Sequence, residues 1–440
     1  MFIEVPLYKI LGGEHTVKKL LALSLVLVML AALFAGCNKS GSGGGSGEQI
    51  TLTYWSHQED PWNVAEDALI AAFEAQNPNI KVNRESYPYD EFESKTQTSL
   101  ISKTGGADIY EIWGGWAIDF APTGAFAAVP DDYYQQLKAD SYPPVLGALQ
   151  YDGKLYGVPL EFNAEYGGLL VNKPWFDEHG VTYPTTWDDM IKIATDNAQS
   201  SGDVFTMRGF DFVSFDSVAY TWLSMILSSG GQYLKDDGSF DFNTDIAKQC
   251  LQSLYDYLTV NKLTSTAGLT GGTDKDNFDW LFMGQSLMAP RGIWTIPTGE
   301  SDYGVTYGKD FDYISMPFYG SEKKWAAETG WAMGVNANSK NLDAAWKFVE
   351  FFTKPDNLRQ FNIAAAQIPP TISGANDPAY LAAVPYAKPI VDVLSGAQFV
   401  GMVNTDTLKQ AVIDALVSML TNGTSVDDAV RAVNDACNTK

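Results

Sequence analysis

Residues 155–191, LYGVPLEFNAEYGGLLVNKPWFDEHGVTYPTTWDDMI, decide how the rest of the chain is read. Tyr156-Gly157-Val158-Pro159 is a short apolar segment ending in a proline, which removes a ladder donor and stops regular pairing. Glu161-Phe162-Asn163-Ala164-Glu165 follows, and Gly167-Gly168-Leu169-Leu170-Val171 resumes an apolar run. Two apolar runs broken by acidic, amide and aromatic side chains predict backbone passing from one globular body into another. Polar groups left in such a crossing need partners, and a ligand is one candidate. Downstream, Pro184-Thr185-Thr186-Trp187-Asp188-Asp189 predicts a helix start, with threonine capping and carboxylates in the first turn.

The chain around that stretch has 440 residues, enough to bury two cores. Its net charge of −24 repels phosphate backbones and anionic headgroups, so nucleic-acid binding is excluded from the expected functions. It holds 12 Trp and 22 Tyr, most of which a core must absorb. Aromatic faces also stack on the apolar C–H faces of sugar rings. Trp55, Trp62, Trp116, Trp294 and Trp331 lie in otherwise polar surroundings, which favours that second use for them.

At the N-terminus, Lys18-Lys19 precedes the apolar run Leu20–Ala35, and Leu33-Phe34-Ala35-Gly36-Cys37 closes it. A positive flank, an apolar segment and small residues at the cut predict a secretory signal over residues 1–36. Cys37 after Ala-Gly resembles a lipobox, in which that cysteine becomes the acylated first residue, although Phe34 stands where leucine is preferred. Residues 1–16 bury the charged flank, so translation is expected to begin at Val17. Residues 37–48 read as a lipidated cysteine with a flexible Gly/Ser tether. Cys250 and Cys437 remain, either paired or free.

The body opens as β-α-β. Gln49–Trp55 alternates as a strand, a helix over Val64–Gln76 puts Ala65, Leu69, Ala72 and Phe73 on one face, and Ile80–Ser86 is the next strand. Such a unit needs a parallel pair with a right-handed crossover. A third strand, Ala107–Trp113, runs into Gly114-Gly115-Trp116. Ligands of open α/β sheets sit beyond the carboxyl ends of strands, which places 55–60 and 114–116 on one rim. Further on, Asp236-Asp237-Gly238 reads as a hairpin turn rather than a calcium loop. Arg291 is the lone cation in an apolar segment, available either to a buried carboxylate or to ligand hydroxyls. Asn341–Thr353 is an amphipathic helix with Ala345, Phe348, Val349 and Phe352 inward, and helices over Thr405–Leu420 and Ser425–Cys437 close the chain.

Four stretches resemble family 1 extracellular solute-binding proteins, the sugar-capturing receptors of ABC importers. They are YGVP with VNKPWF and PTTWDD, then FEAQNPNIKV, then FDWLFMGQSLMAPRGIW, and finally SKNLDAAWKFVEFFTKPDN. The resemblance spans nearly all of residues 49–440. It departs at Gly330-Trp331, where the family has two adjacent glycines. It implies a type II two-lobe α/β fold, each lobe a mainly parallel sheet flanked by helices, joined by a multi-strand hinge. Lobe one is expected from residues 49–159 and 291–338, lobe two from 160–290 and 339–440, with crossings near Pro159–Asn163, Pro290–Ile293 and Asn336–Lys340.

No P-loop, nucleophile elbow, dinucleotide fingerprint or metal-ligand spacing occurs, and only three histidines are present, so neither catalysis nor a cofactor or metal is expected. Glu161 with Asp60 or Glu328 has the residue types of a glycosidase pair. Carboxylates also accept sugar hydroxyls without reacting, and that reading is preferred. The implied function is capture of a sugar by a monomer anchored outside the cytoplasmic membrane through Cys37, closing at the hinge and delivering to the permease subunits. The expected contacts are Trp55, His57, Asp60, Trp116, Glu161, Asn163, Arg291, Trp294 and Trp331. The alternatives are a charged solute such as a polyamine on the same fold, or a surface glycan adhesin. Mass spectrometry of the membrane-bound protein should find an acylated Cys37 as its first residue, and an N-terminus upstream of it would remove the lipid anchor.

Overall fold

A computed structural model describes residues 49–102, 105–202, 204–272 and 275–439. The expected signal, the start at Val17, Cys37 and the tether lie outside the described residues. The first body begins with β1 (Ile50–His57), α1 (Asp60–Gln76), β2 (Ile80–Tyr87), α2 (Tyr89–Ser102), β3 (Ile109–Trp113), α3 (Gly114–Phe120) and β4 (Val158–Pro159). The second body holds β5 (Gly168–Val171), α4 (Trp187–Asn197), β6 (Gln199–Ser201), β7 (Val204–Phe210), α5 (Ser217–Ser228), α6 (Asp245–Thr259), β8 (Ser286–Pro290), β9 (Asp312–Ser315) and β10 (Trp325–Ala327). β11 (Trp331–Val335), α7 (Leu342–Phe352) and α8 (Pro355–Ala364) return to the first. β12 (Ala397–Phe399), α9 (Thr405–Asn422) and α10 (Val426–Asn438) complete the second.

Local chemistry sets these boundaries. Pro61 opens α1, where its missing N–H costs nothing, and Asn77 ends it by turning its amide onto the Phe73 carbonyl at 2.9 Å. Ala65, Leu69 and Phe73 face the core, whereas Ala72, expected beside them, faces solvent. Thr186 caps α4 through the Asp189 N–H, as the PTTWDD pattern predicts. Leu234 bridges Phe240 across the turn at Gly238, whose φ of 80° suits glycine.

Strand order is β2-β1-β3-β11-β4 in the first sheet and β9-β5-β8-β7-β6 in the second. β1 pairs in parallel with β2 and β3, as the β-α-β opening requires. The expectation of mainly parallel sheets is otherwise corrected. β11 runs antiparallel to both β3 and β4, and in the second sheet only β7 and β8 run parallel. A strand arriving from the other body does not come through a right-handed helical crossover, so it can enter antiparallel.

Two apolar cores result. Leu52, Tyr54, Phe73, Ile109, Met333, Phe348 and Phe361 belong to the first, and Leu170, Trp222, Leu251, Met288, Tyr313, Trp325 and Leu416 to the second. The expected assignment of segments to lobes is corrected in two places. Ile293 through Ala327 packs in the second core rather than the first, and Ala344 through Ala365 packs in the first rather than the second. The apolar stripe of α7 is why, since Phe348 meets Phe73 and Tyr54 with ring centroids 5.1 and 6.1 Å apart.

Apart from Tyr142 and Val145, which reach the second core from within the first body, the chain changes core between Leu160 and Phe162, between Ala327 and Ala332, and between Ala365 and Ile368. The first change falls within Pro159–Asn163. The other two replace the expected crossings at 290–293 and 336–340, because Ala289 and Ile293 share one core and Val335 and Ala344 the other. Cys250 and Cys437 are both buried and unpaired. Replacing Phe348 by Ala should destabilise the protein by about 3–5 kcal/mol in urea titrations. Hydrogen exchange should then accelerate in β1 and β11 before β5 and β8, the reverse order placing α7 on the second core.

Candidate ligand-binding cleft

The three crossings are tied to one another by hydrogen bonds. The Leu160 N–H donates to the Trp331 carbonyl at 2.9 Å, and the Phe162 N–H to the Ile368 carbonyl at 2.8 Å. The Trp331 N–H donates to Glu161 Oε1 at 2.7 Å, and the Asn362 amide to the Leu160 carbonyl at 3.1 Å. A Cβ on Gly330 would lie 2.1 Å from Glu161 Oε1, so the close approach of these segments needs a glycine there.

A cavity of about 580 Å³ opens at this junction. The first body lines it with His57, Trp62, Tyr89, Trp113 and Trp331. The second body adds Glu165, Phe215, Asp216, Trp294, Glu328 and Lys409, and the crossings add Glu161, Asn163 and Gln367. Trp331 is the hub of the aromatic wall. His57 stacks on one of its faces at 4.4 Å and 9°, while Trp113 and Trp116 lie 5.2 and 5.6 Å away. Tyr89 and Trp62 meet it nearly at right angles, at 6.2 and 6.4 Å. Edge-to-face packing of this kind fixes ring positions beyond what area burial supplies.

The opposite wall is an ion network. Arg291, 1% exposed, donates to Asp216 at 2.7 Å, to Glu165 at 3.2 Å and to Asp276. Lys409 Nζ lies 2.8 Å from Asp216 and 3.7 Å from Glu328. The Trp294 indole and the Asn163 amide both donate to Glu165 Oε1, at 2.8 and 3.0 Å. Glu161 Oε2 and Glu328 Oε2 are buried without a hydrogen-bond partner.

Ionisation follows from these contacts. Burial pushes Glu161 well above the carboxylate range despite its bond from Trp331, and neighbouring Glu165 and Glu328 add repulsion. Burial raises Glu328 to about 7 against the pull of Lys409. Asp216 is buried too, yet Lys409 and Arg291 hold it below the usual range. Beneath the aromatic wall, burial and the nearby Glu111 raise Glu66 to about 8. Burial lowers His57, but Glu111, 2.8 Å from Nδ1, outweighs it and leaves the imidazole above its ordinary value.

The structure brings His57, Glu161, Asn163, Trp294 and Trp331 to the cavity. Three residues expected there are placed elsewhere. Trp55 stands two residues back on β1, donates to Glu85 at 3.1 Å and lies under Lys95 of α2, in a separate hollow. Trp116 is 1% exposed behind Trp331 and supports that ring without reaching the cavity. Arg291 spends its guanidinium on three carboxylates, the structural one of its two readings. Asp60 starts α1, and its side chain lies outside the description.

Trp62, Tyr89, Trp113, Glu165, Asp216 and Lys409 were absent from the expected contacts. Lys409 had left a signal, a lysine in the apolar stripe of Leu408, Val412 and Leu416. No group of three or more metal ligands occurs among the described residues.

The sequence profile described as bacterial extracellular solute-binding protein matches residues 68–389. A binding protein of Brucella abortus is 25% identical over 374 residues, covering 77% of this chain and 82% of its own. The multiple sugar-binding protein of Streptococcus mutans is 22% identical over 351 residues, covering 76% and 79%. Among solved structures, maltose-bound MalE3 of T. maritima shares the fold with a TM-score of 0.71 at 20% identity, over 88% of this chain and 98% of that one.

Glu328 and Glu66 hold protons more tightly folded than unfolded. Their stabilising contribution is complete below the unfolded carboxylate value of 4.5 and is lost as pH rises through about 7 and about 8. His57, raised above 6.5, acts in the same direction. The melting temperature should therefore fall from about pH 5 to about pH 8 in calorimetry, and Glu328→Gln should flatten the descent near neutrality.

Proposed function

The chain belongs to the bacterial extracellular solute-binding proteins, and on that premise we propose that it captures a carbohydrate in the cleft at its crossings and delivers it to an ABC permease. The observation that carries this reading is the pairing of an aromatic wall around Trp331 with the acceptors Glu161, Asn163 and Glu165 across about 580 Å³. A sugar ring offers an apolar face to the first and a rim of hydroxyls to the second. That volume lies within the range of small-ligand pockets, with room for a mono- or short oligosaccharide. The sugar-binding name of the Streptococcus mutans relative and the maltose held by the T. maritima protein point the same way.

Closure is part of the proposal. A solute touching Trp331 on one body and Trp294 on the other favours the arrangement in which both are in reach. Few backbone segments join the two cores, so rotation needs changes at few torsions. The closed monomer, tethered outside the membrane through acylated Cys37, is the form a permease would recognise. The aromatic and carboxylate groups need no cofactor to bind a sugar, and binding leaves the glycosidic bond intact.

A thermal-shift screen against mono- and oligosaccharides should raise the melting temperature for at least one of them, with a matching contraction in solution scattering. Trp331→Ala should weaken that sugar at least about tenfold, roughly the 1.4 kcal/mol expected of a lost aromatic platform. Unchanged affinity would take Trp331 out of the site, and a panel without a single stabilising sugar would end the carbohydrate reading.

A further inference from the structure

The acid in the cleft is not balanced by base. Seven carboxylates line the cavity against one lysine. Asp216 takes up Lys409 at 2.8 Å, leaving Glu328 Oε1 only its longer approach of 3.7 Å, and shares Arg291 with Glu165 and Asp276, so both buried cations are largely spoken for. Glu161 and Glu328 are the surplus. Each is 1% exposed, each lines the cavity, and each keeps one oxygen without a well-formed hydrogen bond, the Tyr220 hydroxyl lying beside Glu328. Glu161 Oε1 is satisfied by the Trp331 N–H at 2.7 Å, and Glu328 Oε1 stands 3.4 Å from the Asn163 amide. In both, the free oxygen is Oε2.

Burying an acceptor without a donor costs about 1–3 kcal/mol, and more for a charged group. A neutral sugar hydroxyl supplies the missing donor, but it leaves two neighbouring acidic groups without a counter-charge between them. An ammonium relieves both, because it carries three donors and the opposite charge. The wall facing it is also suited to a cation, since the rings of Trp331, Trp62 and Tyr89 present electron-rich surface.

We propose that the captured solute is an amino sugar whose protonated amine sits between the free oxygens of Glu161 and Glu328. The inference rests on the carbohydrate reading and narrows it. The ring skeleton uses the aromatic wall and Asn163, and the amine uses the two glutamates. Acetylating the amine removes its charge and two of its donors, so N-acetyl sugars are disfavoured.

Calorimetric titration at neutral pH tests this on the mature protein. The probes are glucosamine, galactosamine, mannosamine and short glucosamine oligomers. Each is paired with its N-acetyl form and with the plain sugar bearing a hydroxyl in place of the amine, and maltose and spermidine are run alongside. One amino sugar should bind at least tenfold more tightly than both of its neutral counterparts. Glu161→Gln and Glu328→Gln should each abolish that preference, the amino sugar losing at least tenfold more affinity than either of its neutral counterparts. Gln keeps the acceptor that Trp331 and Asn163 use, and retained circular dichroism confirms folding. A neutral sugar that binds as well as its amino form, or a preference that survives both substitutions, overturns the amine site and leaves carbohydrate capture standing. If no sugar of either kind binds, whether or not spermidine does, carbohydrate capture falls and the amine site falls with it.

Discussion

The hydrogen bond from the Trp331 N–H to Glu161 holds the rest of the site in place. It joins the segment leaving the first body, just past the end of β4, to the segment returning to it at the first residue of β11. A carboxylate buried to 1% exposure is costly unless it accepts such bonds, so Glu161 is tolerated only where a backbone donor is fixed against it. Gly330 makes the approach possible by lacking a Cβ. The same contact sets the direction of Trp331, and with it the aromatic wall.

The two sides of the cleft are rigid for different reasons. On the first, Trp331 is held by ring packing against His57, Trp113 and Trp116, and His57 is fixed from behind by Glu111. On the second, Asp216 sits between Arg291 and Lys409, which are drawn from β8's C-terminal end and from α9. Removing Arg291 would leave Glu165 and Asp276 without their ion-pair partner, a loss far larger than either pair's own contribution.

How much of this was legible in the sequence depends on the range of the signal. The first crossing was readable because Pro159 and the polar break after it are local facts, and β1-α1-β2 because periodicity and caps agree. Glu161 and Asn163 in the cavity follow from that crossing. The other crossings were misplaced because an amphipathic stripe such as Phe348 with Phe352 says that a helix is buried, without saying against which core. Trp55 was misread for a related reason. The strand-end rule identifies a rim, but two residues back along β1 the side chain is already covered by α2. Asp216 left no signal at all, since its role exists only when Arg291 and Lys409, distant in sequence, converge on it.

The departure at Gly330-Trp331 connects these threads. A second glycine in place of Trp331 would keep the backbone bond to Glu161 and the crossing, yet it would remove the ring on which six aromatic neighbours converge. Trp116, buried with its indole nitrogen unpartnered, then has no platform to support. An indole of this size takes up volume that a long ligand would otherwise use, and offers in exchange one broad surface opposite Glu161 and Glu328. The substitution therefore trades reach along the cleft for grip at one ring, and it places that grip beside the two carboxylate oxygens that the protein itself leaves unsatisfied.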